Sequence, residues 1–208
     1  MLHTKTIEPR TLSILKELMQ IPEFNQFSLV GGTALSLKYG HRLSVDLDFF
    51  SHQEMNKDFL IDFLRTKYSN RFIIENTQAK WGIFCYIDNI KIDIVQYPHN
   101  IIGKIENRES IRFYHDKDLM AMKIQAILGR GKKKDFWDIA ELLEHYSVQE
   151  MIDCHKAKYP NQMLGISIPQ ALTYFVDADE SEEPITLKPL TWEKVKSTIS
   201  DKVRKFLS

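Results

Sequence analysis

Read from its N-terminus, the chain first places apolar residues at Leu12, Leu15, Leu18 and Met19, three and four positions apart. That spacing predicts an amphipathic helix over residues 8–21, ended before Pro22. An apolar run then follows, Phe27, Leu29 and Val30, which meets Gly31-Gly32 and passes into Thr33-Ala34-Leu35-Ser36-Leu37-Lys38. This is the pattern of a strand, a tight turn and a helix start. From Ser44 to Phe50 apolar and acidic residues alternate with a period of two, so a strand there turns Asp46 and Asp48 to the same side. Phe59, Leu60, Phe63 and Leu64 predict a helix within 53–68. Three short β-branched or aromatic runs, 71–75, 81–87 and 90–95, predict strands, with Asp88-Asn89 as a hairpin turn between the last two.

After a loop around Gly103 and a short strand at Ile111-Arg112-Phe113, the pattern becomes helical. Asp116 reads as the N-cap of a helix through Leu119, Met122, Ile124, Ile127 and Leu128, broken near Gly129-Arg130-Gly131. Lys132-Lys133-Lys134 precedes a helix striped by Phe136, Ile139, Leu142 and Leu143. Residues 150–176 are weakly patterned but helical, 177–184 read as an acidic exposed loop, and 191–207 as a final amphipathic helix through Val195, Ile199, Val203 and Phe206. The expected fold class is α+β. A small mixed β-sheet flanked by helices occupies residues 1–114, and a helical C-terminal lobe occupies 115–208.

Composition narrows the function classes only a little. The 28 basic and 28 acidic residues cancel, so a nucleic-acid partner would have to meet a local basic patch. Cys85 and Cys154 match no zinc spacing and form no disulfide framework, and the start MLHTKTIEPR lacks the apolar stretch of a signal peptide. No apolar run is long enough to span a bilayer, so the expectation is a cytoplasmic protein with no membrane partner.

Candidate chemistry gathers at residues 31–48. A helix N-terminus offers unpaired N–H groups and a positive dipole end to an anion, and two residues without Cβ atoms let a phosphate approach Gly31 and Gly32 closely. Two carboxylates on one strand face repel each other unless a cation lies between them, which suits Asp46 and Asp48 to a hard divalent metal such as magnesium. A phosphate cradle followed by a metal-binding pair points to nucleoside triphosphate chemistry. In Ile90 to Val95, Asp93 shares a face with Lys91 and Val95, and would be a third carboxylate if that strand lies beside the Asp46/Asp48 strand. Blander readings stand next to these: Gly31-Gly32 as a simple turn, the aspartates as solvent-facing strand acids, Lys123 as a polar helix face, Arg130 and Lys132 to Lys134 as a solvated turn, and Asp135 as an N-cap. The histidines show no metal-ligand spacing, and Trp81, Trp137 and Trp192 read as packing residues.

The text GGTALSLKYGHRLSVDLDFF, followed by Leu119-Met120-Ala121-Met122-Lys123 and Lys134-Asp135-Phe136-Trp137-Asp138, resembles the AbiEii/AbiGii-type toxin nucleotidyltransferases, within the DNA polymerase β-like nucleotidyltransferase superfamily. The resemblance covers about residues 27–143. It implies that Gly31, Gly32 and Thr33 hold the triphosphate, that Asp46 and Asp48 bind magnesium, that Lys123 reaches the nucleotide phosphates, and that Asp135 or Asp138 is the acid of the last motif. It also implies transfer of a nucleoside monophosphate from NTP to an acceptor hydroxyl, tRNA or another RNA among the acceptors, and an antitoxin protein as partner. A small molecule of the antibiotic type or a protein is the alternative acceptor, and a catalytically silent nucleotide-binding module the alternative class.

Overall fold

A computed structural model of the chain describes residues 1–76 and 79–208. In chain order the elements are α1 (Pro9–Met19), β1 (Ser28–Val30), α2 (Gly31–Tyr39), β2 (Leu47–Ser51), α3 (Lys57–Tyr68), β3 (Phe72–Asn76), β4 (Gly82–Ile87), β5 (Ile90–Gln96), β6 (Glu106–Arg108) and β7 (Ile111–Phe113). The helices α4 (Asp116–Gly129), α5 (Lys133–Leu142), α6 (Val148–Lys158), α7 (Ile168–Leu172), α8 (Val176–Asp179) and α9 (Trp192–Leu207) follow. Among the described residues the strands form one mixed sheet in the order β3-β4-β5-β2-β1-β7-β6.

Period-two patterning decides which face of that sheet is core. Leu47 and Phe49 of β2, Ile83, Cys85 and Ile87 of β4, and Ile92 and Ile94 of β5 are all buried on one side. The alternate residues look the other way, and the register sets Phe84 beside Asp93 and Asp93 beside Asp48. Asp48 in turn pairs with Val30, the last residue of β1. One lateral row therefore carries Phe84, Asp93, Asp48 and Val30, and it ends at the start of α2. The hydrophobic core is continuous from Leu15 and Phe49 to Ile124, Phe136 and Ile199. Trp137 and Trp192 lie within it, stacked with ring centroids 5.4 Å apart.

Buried acids tie the helices to the sheet. Asp118 of α4 accepts from Lys158 at 2.7 Å and from the backbone N–H groups of Ile102 and Gly103. Asp116 does not cap its helix as the pattern suggested. His115 is the N-cap, its Nδ1 accepting from the Lys117 N–H, and the Asp116 carboxylate instead holds Lys38, Tyr39 and Tyr146. Two further differences follow from tertiary context. The acidic 177–184 stretch begins in the short helix α8, where Ala178 is buried, and β6 is a three-residue strand of Glu106, Asn107 and Arg108 that hydrophobic patterning cannot show. No helix among the described residues is long and apolar enough to cross a membrane.

The β4–β5 connection is the predicted two-residue turn, with Asp88 at φ 51° and Asn89 at φ 63°. Left-handed backbone at both positions matches the twist of the flanking strands and is tolerated best by Gly, Asn and Asp. Asn89→Gly should therefore leave the urea midpoint unchanged or raise it, whereas Asn89→Val should destabilise by about 1–2 kcal/mol. Equal midpoints for the two variants would rule out this account of the turn.

Candidate active site

Helix α2 starts directly at the end of β1. Its N-cap position is Val30, which has no side-chain acceptor, so the first-turn N–H groups are left without a side-chain cap. Gly31 has φ 72°, and a Cβ built there would overlap Asp48 Oδ2. A Cβ on Gly32 would overlap the Arg42 guanidinium. Both glycines are thus demanded by what packs against them, one by a carboxylate and one by a cation. Thr33 is buried, and its hydroxyl is spent internally, donating to the Asp46 carbonyl and lying 2.9 Å from Ser44 Oγ. This bond pins the 44–46 segment to the head of α2.

Asp48 and Asp93 face each other across the parallel β2–β5 pair. Burial raises the Asp48 carboxyl to about 6, and the neighbouring Asp93 and Asp46 push it the same way. Burial also raises Asp93, whose Oδ1 is buried without a hydrogen-bond partner among the described residues while Oδ2 lies 3.6 Å from Lys91. Asp46 sits differently from expectation. It precedes the strand, next to an exposed Val45, and its Oδ2 lies 3.9 Å from Lys134 Nζ. Among the described residues no three His, Cys, Asp or Glu side chains are gathered closely enough to hold a metal ion. The adjacent pair nevertheless fits a hard divalent cation, because crowded carboxylates and an orphaned carboxylate oxygen are the donors such an ion takes.

Behind this pair lies a buried charge cluster. Lys123 of α4 places Nζ 2.6 Å from Asp138 and 3.0 Å from Asp135, both on α5. Arg42 grips Asp138 with two nitrogens, at 2.7 and 2.9 Å, and His41 Nε2 lies 2.7 Å from the same carboxylate. Arg130 bonds both oxygens of Asp135. Burial alone would raise Asp138, but Arg42 and Lys123 outweigh it and hold the carboxyl well below its ordinary value. Asp135 is likewise lowered against burial, by Lys123 and Arg130. Burial would lower Lys123, yet the two aspartates keep it raised and charged. Asp135 is not an N-cap: that position is Lys132.

Two clefts meet here. One, of about 410 Å³, runs between the open sheet face and α4, and is lined by Gly31, Asp48, Asp93, Lys123 and Arg130 together with Phe84 and Trp81. The other, of about 1020 Å³, opens on the far side of Asp46 and Arg130, with Lys5, Arg42, Lys132 and Lys134 on its wall together with Glu8, Asp177, Glu180, Glu182 and Glu183. Of the residues singled out in the sequence, Gly31, Asp48, Asp93 and Lys123 share the first cleft, Asp46 and Lys134 line the second, and Gly32, Thr33, Asp135 and Asp138 line neither. His41 and Arg42 were not singled out in the sequence, since the partner that gives them a role lies 97 and 96 residues away. Trp81 is no packing residue: it is 57% exposed at the rim of the first cleft.

A family model described as "Nucleotidyl transferase AbiEii toxin, Type IV TA system" matches residues 13–207. An uncharacterized protein from Aquifex aeolicus (strain VF5) is 34% identical over 199 residues, covering 93% of this chain and 94% of that protein. Similar folds occur in a Helicobacter pylori protein described as a candidate nucleotidyltransferase, at 19% identity, TM-score 0.57 and 95% coverage of both chains. They occur also in MenT4, a nucleotidyltransferase toxin from Mycobacterium tuberculosis H37Rv, at 12% identity and TM-score 0.59, covering 91% of this chain and 79% of that one.

Two stability measurements check this geometry. Asp138→Ala strands Arg42 and Lys123 without their counter-charge and should cost about 3–5 kcal/mol in urea unfolding, far more than an exposed acid. A loss no larger than that of the exposed Glu193→Ala would contradict the cluster. Asp48 titrates at about 6 when folded. The proton it retains there stabilises the fold fully below the unfolded carboxyl value, roughly 4, and this contribution is lost as pH rises through the folded value. In EDTA at pH 8, Asp48→Asn should therefore raise Tm, by about 2–6 °C, and flatten its dependence on pH. A lower Tm would mean that Asp48 is not strained by its neighbours.

Proposed function

The chain belongs to the AbiEii family of nucleotidyl transferases, and from that premise we propose that it is a magnesium-dependent enzyme that moves a nucleoside monophosphate from NTP to the terminal hydroxyl of an RNA, tRNA foremost, as the toxin of a toxin–antitoxin pair. The observation that carries this reading is the in-register Asp48–Asp93 pair at the open head of α2, with Lys123 in the same cleft. A cognate antitoxin is its expected partner, and the cytoplasm, where NTP and tRNA meet, its place of action.

In the reaction the acceptor hydroxyl oxygen attacks the α-phosphorus, the bond from that phosphorus to the β-bridging oxygen breaks, and pyrophosphate leaves with the electron pair. Asp93 takes the proton of the hydroxyl. Its Oδ1 accepts no hydrogen bond from the described residues, which leaves it open to the hydroxyl. The uncapped N–H groups at the head of α2 take phosphate oxygens, while Gly31 and Gly32 let Asp48 and Arg42 pack against that head. Lys123 and Arg130, with Lys134 beside them, supply positive charge for the departing pyrophosphate. Asp135 and Asp138 act through these cations, fixing Lys123, Arg130 and Arg42 in place, and Thr33 positions the Asp46 segment. A magnesium ion held by Asp48 and Asp93, with Asp46 as third ligand, would offset phosphate charge and acidify the attacking hydroxyl.

The test is incubation of the purified protein with magnesium, each α-labelled NTP and total RNA, read on a denaturing gel. Label at tRNA size with one NTP is expected, lost in EDTA and reduced by roughly 10²–10³-fold or more in Asp46→Ala or Asp48→Ala. Pyrophosphate release without labelled RNA would overturn the RNA acceptor in favour of a small molecule or protein. Neither product would overturn the enzyme reading as a whole.

A further inference from the structure

Two clefts meet at the carboxylates, and what lies at each end of the smaller one assigns its occupants. The larger one is of mixed charge, with Glu8, Asp177, Glu180, Glu182 and Glu183 beside Lys5, Arg42 and Lys132, while Arg130, Lys134 and Lys123 stand together where it meets the smaller. The smaller runs the other way, past Asp93, onto Phe84, Trp81, Phe50, Tyr97 and Met122, none of them charged. In an in-line displacement the attacking oxygen and the departing pyrophosphate lie on opposite sides of the α-phosphorus. The polyanionic leaving group belongs with Lys123, Arg130 and Lys134, where the clefts meet. The acceptor then enters from the aromatic side, where Asp93 stands next to Phe84 in the strand register.

The wall on that side is built to present a ring. Trp81 is 57% exposed, yet its carbonyl accepts from the Gln96 N–H at 2.9 Å, which ties its backbone to the end of β5. Its indole stands edge-on to Phe84, ring centroids 4.8 Å apart and planes at 75°. The Phe50 and Tyr97 rings continue the surface, 5.0 Å apart. A large aromatic kept in water beside reactive carboxylates, on an ordered strand end, is a platform for a flat, weakly polar partner. A base within a duplex shows only its edges, whereas an unpaired terminal base offers a face.

We infer that the Trp81–Phe84 wall is the acceptor subsite, on which the unpaired terminal nucleobase of the RNA stacks so that its sugar hydroxyl falls beside Asp93. This rests on the reading of the chain as a transferase acting on an RNA terminus. The subsite selects single-stranded ends over blunt duplex ends and, since every base has a stacking face, does so with little sequence preference.

Two measurements test it. In steady-state transfer, Trp81→Ala should raise the KM for an RNA with an unpaired 3′ end by roughly 10-fold or more, with the KM for NTP unmoved, and Trp81→Phe should recover part of the loss. An NTP KM that rises instead would assign the wall to the incoming base, and no change in either would remove the subsite; both overturn the inference. Tryptophan fluorescence gives a readout that needs no turnover. Trp137 and Trp192 are buried, so quenching of the wild type by a single-stranded oligoribonucleotide, absent in Trp81→Phe, reports stacking on Trp81. Wild type that transfers to RNA without this quenching overturns the subsite alone. Wild type that neither labels nor binds RNA overturns the acceptor reading, and the subsite with it.

Discussion

Everything at the centre of this molecule depends on one buried carboxylate, Asp138, and the three groups that converge on it. Arg42 comes from the segment after α2, Lys123 from α4 and His41 from beside Arg42, so one anion joins the sheet-bearing half of the chain to the helices. Burying such charges costs several kcal/mol each unless all are paired. With Asp135 included, the cluster sets Arg42, Lys123 and Arg130 against two aspartates, leaving one positive charge in excess. That excess is not idle. Lys123 and Lys134 are the groups that lower the Asp48 carboxyl against its burial and its acidic neighbours. Lys123 thus both ties the helices together and makes the carboxylate cleft tolerable.

The carboxylates in turn are placed by sheet geometry. A parallel β2–β5 pair in register forces Asp48 and Asp93 together, and their neighbours Leu47, Phe49, Ile92 and Ile94, all buried, fix the face on which they appear. A slip of one residue in either strand would bury an acid and expose a core residue, so the core enforces the site. The mutual repulsion of two acids costs stability, and on the proposed reading a cation between them would relieve it.

Much of this was legible in the amino-acid pattern. Alternation in Leu47 to Phe50 and in Ile90 to Val95 put the acids on one face, the Asp88-Asn89 turn set β4 against β5, and helical spacing located α1, α3, α4, α5 and α9. What failed has a common physical cause. His41 and Arg42 acquire their meaning from α5, Asp116 from Lys38 and two tyrosines, and Trp81 from a cleft wall, and no local pattern encodes a partner so far away. Asp46 looked like a strand residue because alternation continues through Val45, but pairing with β1 and β5 ends at Asp48 and Leu47.

That last difference bears on how the site works. Asp48 and Asp93 are held by ladder hydrogen bonds on both sides, whereas Asp46 belongs to an irregular segment anchored at intervals. Ser44 N–H donates to the Thr6 carbonyl at 2.9 Å, Leu43 N–H to that of Ile185 at 2.8 Å, and Thr33 to Asp46's own carbonyl. These bonds fix the backbone of the segment, and among the described residues the Asp46 side chain has an ion pair with Lys134 at 3.9 Å, a separation at which a partly solvated pair contributes little. On the proposed reading a cation between the strand acids would meet two carboxylates whose positions the core dictates, with Asp46, more loosely held, as a third. On the proposed reading Lys134, beside Arg130 where the two clefts meet, would add its charge to the place where pyrophosphate departs.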